Sequence, residues 1–247
     1  MTLLCFEHVS RSYRDGRCEI VVLEDVSFEI EANDFVGIWG MRRSGKSTLL
    51  RLAAGLDFAQ SGSVCFDGYD LGKVSGHRRA ALLRDGGIGV VLTDRRPAIN
   101  QRAVELVALP LLAAGRSLRE ARPPALAALE RVQALSVAEH PVAGLARDAL
   151  MKVMLAQALI HRPRLLLVDE PAAFLNMREA AEIFSLLQSI GSEEGIALLI
   201  ASEDLRALRR ASRIMSVGGG TVRLMDRNAE VLQFPGPGSA LSGGHGQ

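Results

Sequence analysis

The sequence predicts an α/β fold, on three observations. RLLLVDE at 164–170 and GIALLIASED at 195–204 are continuous apolar runs of the kind buried on both faces of a parallel sheet. The helix-patterned MREAAEIFSLLQSI lies between them, as a crossover would. FVGIWG at 35–40 reads as a short strand that runs straight into a glycine-rich turn and the helical SGKSTLLRLAAGL.

Taken in order, LLCFEHV (3–9) and IVVLEDVSFEI (20–30) carry the apolar and β-branched pattern of early strands, joined by the polar turn RDGR. From about 94 to 160 helical spacing dominates, in QRAVELVALPLLAAG, LREARPPALAALERVQAL and ALMKVMLAQALIH. Pro123 and Pro124 mark a break or a helix start within that lobe. RIMSVGGGTVRLMD closes the core as a hairpin. The domain is expected over 1–232, followed by a flexible tail at 233–247 whose Gly, Pro and Ser cannot bury a core.

At 247 residues the chain can bury a sizeable interior as one large α/β domain or a core with a smaller helical lobe. Its 29 Lys plus Arg against 28 Asp plus Glu give a net charge of +1, which offers no field to draw nucleic acid. The longest apolar stretch, LVALPLLAAG, falls short of the roughly 20 residues of a membrane span. With no secretory pattern at the start, the cytoplasm is the expected compartment. Cys5, Cys18 and Cys65 lack CxxC spacing and read as small buried or half-buried hydrophobes.

Gly40, Gly45, Lys46 and Ser47 fit the phosphate-binding loop GxxxxGK[ST]. There, backbone N–H groups at a helix start surround phosphates, the lysine reaches the β and γ oxygens, and the hydroxyl ligates magnesium. Strand before and helix after agree with that reading. The strand ending in Asp169 and Glu170 supplies the complementary acids, Asp169 for magnesium and Glu170 to polarise an attacking water. The expected nucleotide contacts are Gly40, Arg43, Ser44, Gly45, Lys46, Ser47 and Thr48, with Lys46 and Glu170 catalytic and Ser47 and Asp169 holding Mg2+; Tyr13 reads either as a ring stacked on a base or as a plain exposed strand aromatic.

These residues resemble those of ABC transporter ATP-binding subunits, over about residues 3 to 225. LLRLAAGLDFAQSGSVCFDGYDL and VELVALPLL are similar to the subgroup of lipoprotein-releasing, macrolide-export and cell-division ATPases. The resemblance implies a RecA-like P-loop core with an antiparallel β subdomain and an inserted α-helical subdomain. It further implies ATP and Mg2+ bound between two subunits closed head to tail, Tyr13 stacked on adenine, and a membrane permease driven by dimer movement. The chain would sit on the cytoplasmic face of the inner or plasma membrane without spanning it.

Several positions depart from the family pattern. Thr93 stands for the glutamine after IGVVL, and Leu145 to Ala149 (LARDA) for the LSGGQ signature. Glu203 stands for the switch histidine, and Asn176 for the aspartate that links the two sites. Asp148 is expected to cap the following helix and to occupy the place of a partner's γ-phosphate. At about 5 Å such a repulsion is roughly 3 kcal/mol at an effective dielectric near 20, and Arg147 beside it offsets some or all of that according to the direction of its side chain. LSGGH at Leu241 to His245 has no helix after it and reads as tail, and His140 and His161 as ordinary polar positions. The expectation is a cassette with weak or partner-dependent ATPase activity, paired by preference with a different ATP-binding subunit. The alternatives are a nucleotide-gated structural subunit and a soluble non-transport ABC ATPase.

Overall fold

The computed structural model describes residues 1–16, 18–92 and 101–225. A long hairpin, β1 (Thr2–Asp15) and β2 (Cys18–Glu31), opens the chain, with Gly16 turning it at a left-handed φ of 59°. β3 (Phe35–Trp39) leads through the glycine-rich loop into α1 (Lys46–Ala53). β4 (Ser61–Phe66) and the two-residue β5 (Tyr69–Asp70) return to β1, completing an antiparallel sheet in the order β2-β1-β4-β5.

Next come α2 (Gly76–Arg84), capped by the Ser75 side chain, and β6 (Ile88–Val91). The helical lobe contains α3 (Ala103–Ala113), α4 (Leu118–Arg131) and α5 (Arg147–Leu159). β7 (Leu165–Asp169), α6 (Met177–Glu194) and β8 (Ala197–Ser202) follow, and the hairpin β9 (Arg213–Gly218) with β10 (Thr221–Leu224) ends the described chain. The second sheet runs β10-β9-β3-β8-β7-β6, parallel except for its β10 edge.

Strand alternation divides this sheet between two cores. Leu166, Val168, Leu198 and Ile200 face the cluster built by α3 to α6. Leu165, Leu167, Leu199 and Ala201 face α1 and the antiparallel sheet. β7 is buried on both sides, which is why its sequence is continuously apolar.

The structure departs from the expectations for the paired prolines and for one cysteine. Pro123 and Pro124 neither break nor start a helix: both lie inside α4, which begins at a Ser117–Glu120 capping box. The packing of Ala121, Ala125, Ala128 and Leu129 outweighs the missing N–H groups. Cys18, at the start of β2, is exposed, whereas Cys5 and Cys65 are half-buried and directly opposed on β1 and β4. Burial pushes the Cys5 thiol up to about 11, with the charges of Glu7 and Glu29 adding to the rise. The tail at 233–247, including Leu241 to His245, and Thr93 lie outside the described residues.

Candidate functional site

Because β3, β8 and β7 are adjacent and parallel, whatever follows each strand emerges at the same edge of the sheet. The glycine-rich loop follows β3, Asp169 ends β7 with Glu170 next, and Glu203 follows β8. One locus therefore receives Lys46 and Ser47 from the start of α1 and three carboxylates from two neighbouring strand ends.

The loop's shape depends on its glycines. Gly45 caps α1 at a φ of 108°, which L side chains rarely adopt. A Cβ on Gly40 would lie 2.5 Å from both Ser44 Oγ and the Val217 carbonyl oxygen. Arg43 takes a left-handed φ of 60° in the turn between them. No side chain caps α1, so its first-turn N–H groups are not engaged by a side-chain acceptor there, the condition for an anion site at a helix start.

Lys46 is only 5% exposed. Its ammonium donates to the carbonyls of Gly40 (2.7 Å) and Met41 (3.0 Å) and lies 3.3 Å from Glu170 Oε1 and 3.9 Å from Glu203 Oε1. Ser47 Oγ donates to Asp169 Oδ2 at 2.6 Å, and Asp169 is 4% exposed. This pair of hard oxygen ligands suits Mg2+, which binds through one or two protein oxygens and completes its shell with phosphates and water. Glu170 accepts the Glu203 N–H at 3.2 Å. Burial holds its carboxyl above the usual range despite Lys46 and that N–H, and the charge of Glu203 adds to the rise. Burial thus outweighs the ion pair.

Tyr13 is also drawn to α1: its hydroxyl donates to Asp57 at 2.6 Å and lies 3.5 Å from Thr48 Oγ1. Arg11, itself paired with Asp57, sits 4.6 Å over the ring, so stacking of a base is confined to the opposite face. Tyr13, Gly40, Arg43, Ser44, Gly45, Lys46, Ser47, Thr48, Asp169 and Glu170 thus all belong to one region, linked by these contacts or by the loop itself.

The signature position differs from expectation. Asp148 does not cap α5. The N-cap is Ala146, which makes no side-chain bond, and Asp148 falls inside the first turn. The helix starts one residue before Asp148, and a capping side chain must stand outside the helix to reach back to its N–H groups. What remains of the expectation is an acidic charge beside an uncapped helix start. Arg147 turns away to sit 4.7 Å over the ring of Phe174, which is 84% exposed at a left-handed φ of 67°. Asn176 caps α6, accepting from the N–H groups of Arg178 and Glu179.

Sequence reasoning missed the approach of Glu203 to Lys46, the Arg11–Asp57 clamp on Tyr13 and the Arg147–Phe174 contact. The first had a signal: an acid directly after an apolar strand, as in VDE, repeated in IASED.

Strand, loop, helix and strand-end acids define a P-loop domain that holds nucleotide phosphates. The profile described as ABC transporter matches residues 23–173, more than half of the sequence, and the chain belongs to the ABC transporter family. It is similar to the ATP-binding cassette MJ0796, a bacterial ABC transporter cassette solved as a dimer in a post-hydrolysis state bound to ADP and Pi. That match has 27% identity and a TM-score of 0.84, covering 92% of this chain and 100% of that one. It is also similar in fold to cbiO1 from Clostridium perfringens, part of the ABC transporter complex cbiONQ. There the identity is 24% and the TM-score 0.77, over 90% of this chain and 86% of that one. A nucleotide-free cassette from an ABC transporter matches in fold at 22% identity and a TM-score of 0.79, over 95% and 96%. Among the described residues no helix is long and apolar enough to cross a membrane.

Proposed function

We propose that this chain is the ATP-binding subunit of an ABC transporter or related membrane complex, binding Mg-ATP at a subunit interface and hydrolysing it slowly or only with its partners. The observation that carries the reading is the meeting of Ser47 with Asp169 and of Lys46 with Glu170, which joins the loop of one strand to the acids of another. In this reading Gly40, Arg43, Ser44, Gly45 and Thr48 shape or line the phosphate cradle and Tyr13 orients the base. Lys46 draws the β and γ oxygens, Ser47 and Asp169 hold Mg2+, and Glu170 orients and deprotonates a water. Bound Mg2+ would supply charge neutralisation along the phosphates.

Slow hydrolysis is supported by Glu203, an acceptor where a donor to the terminal phosphate would help, and by Asp148 in the first turn of α5. Both bear on shared sites, and they favour pairing with a different ATP-binding subunit whose own loop supplies the missing donors. A permease partner, on the cytoplasmic face in this reading, is supported by a cleft of about 560 Å³ beside β6, the sheet edge, whose mostly apolar wall includes Leu56, Ile88, Leu92 and Pro110 and carries the polar Gln157 and His161.

Steady-state ATP turnover, measured for the chain alone and with its permease and second cassette, tests this. Slow turnover alone, raised by the partners, is the expected result. Turnover at ordinary transporter levels by the lone homodimer overturns it. A nucleotide-gated structural role is favoured by the double carboxylate hold on Lys46. It gains if the complex's output survives Glu170→Gln but not Lys46→Ala.

A further inference from the structure

The Lys46 ammonium is held from two directions. Gly40 and Met41 offer carbonyls from the loop, and Glu170 and Glu203 offer carboxylates from the two strand ends. A P-loop wraps its backbone N–H groups around the inner phosphates, and its lysine marks where the outermost ones lie. Carboxylates that approach the lysine from the strand ends therefore stand on the terminal-phosphate side. In the proposed reading Glu170 acts there as base. Glu203 enters that reading only through the rate of hydrolysis, and its effect on binding is a separate matter.

Glu203 is held in place by its backbone. Its N–H donates to Glu170 Oε2 and its carbonyl accepts the Trp39 indole N–H at 3.0 Å, so the loop carrying it is tied to both β7 and β3. Its side chain remains 43% exposed, which lets it turn but not leave. A carboxylate cannot donate a hydrogen bond and repels phosphate oxygens.

We infer that Glu203 sets the nucleotide preference of this site, penalising the terminal phosphate so that ADP is held at least as firmly as ATP by the chain on its own. This rests on the reading of the site as a nucleotide site. The diphosphate ends at the phosphate nearest Lys46 and gains from the lysine while staying clear of most of the repulsion. The triphosphate places a further dianionic group beside Glu203. A like-charge contact at about 5 Å across a partly exposed site, screened by solvent and by the facing Lys46, converts to roughly a tenfold preference. Closure against a partner subunit would then have to supply the missing donors before ATP is favoured, which couples occupancy by the triphosphate to assembly.

The test is equilibrium binding of MgATP and MgADP to the full chain, wild type and with Glu203→Gln or Glu203→His, each checked for folding by its thermal melt. An exposed carboxylate on α4 in the helical lobe, Glu130→Gln, controls for net charge. The expected result is wild-type MgADP binding equal to or tighter than MgATP. In Glu203→Gln the ratio of affinities should move about tenfold towards MgATP, while Glu130→Gln leaves it unchanged. A wild-type preference for MgATP, or a Glu203→Gln variant that leaves the ratio unmoved while both nucleotides bind, overturns the inference and leaves the nucleotide site standing. Failure of wild type and variants to bind either nucleotide overturns the site itself.

Discussion

Replacing Gly40 by alanine adds one methyl group where the backbone has no room for it. The new Cβ would sit 2.5 Å from the Val217 carbonyl oxygen on β9 and 2.5 Å from Ser44 Oγ, with Ser44 Cβ at 3.2 Å. Ser44 can rotate, but the Val217 carbonyl belongs to a strand paired on both sides and does not yield cheaply. Relief requires the loop to move away from β9 by about 0.9 Å, the difference between this approach and the 3.4 Å at which ordinary contact begins. That movement pulls the Gly40 carbonyl from the Lys46 ammonium it accepts at 2.7 Å. Overpacking costs about 1–3 kcal/mol and weakening a charged hydrogen bond about 1 kcal/mol more, for a total near 2–4 kcal/mol. In a chain of this size that lowers the melting temperature by about 5–15 °C. Gly218, at the end of β9, is the comparison: a Cβ there meets nothing within 4 Å, so Gly218→Ala should shift the melt by no more than about 2 °C. Thermal unfolding by circular dichroism without nucleotide decides. Equal melting temperatures for the two variants would refute the steric account of the loop.

Three further outcomes follow from the same geometry. The folded-state pKa of Glu170 lies above its unfolded value, so the protonated group favours the fold; that contribution is present at low pH and lost as pH rises through the folded pKa. Glu170→Gln, neutral at every pH, should therefore melt above wild type near pH 7.5, with the gap closing towards about pH 5; a lower melt at pH 7.5 counts against it. In the proposed reading Ser47→Ala removes a metal ligand without changing the charge around the phosphates, and should weaken MgATP binding at least about tenfold while leaving Mg-free ATP within about threefold, by titration calorimetry. A double-mutant cycle on Arg147→Ala and Phe174→Ala should give a coupling of about 0.5–1 kcal/mol in chemical denaturation, and zero coupling would remove the contact from consideration.

The parts of the fold that could be read from sequence are those whose signal is local. β3, β7, β8 and α6 declare themselves because burial on both faces, or a 3.6-residue stripe, is written into consecutive residues. The phosphate loop is the strongest case, since its glycines have no other use in that order. α2 went unread because GHRRAALLR carries few apolar residues and a weak stripe, and its start rests on the Ser75 cap. The start of α5 was misplaced by two residues, with the cap expected at Asp148 and found at Ala146; that is the ordinary uncertainty of a helix boundary, and it decides between cap and first turn. Pro123 and Pro124 obeyed packing against propensity. Glu203 meets Lys46 only because β3 and β8 are neighbours, and sheet order is not a property of any short segment.

The stacking of Arg147 on Phe174 joins the first residue of α5 to the turn after Glu170. A guanidinium over a ring is a broad, shallow attraction with little angular demand, unlike a hydrogen bond that fails when bent. The contact accordingly tolerates small changes in angle that would cost a hydrogen bond most of its strength. It clasps from the solvent side a helix and a strand-end turn whose inner faces already share one apolar core, so the seam beside Glu170 is closed from both sides.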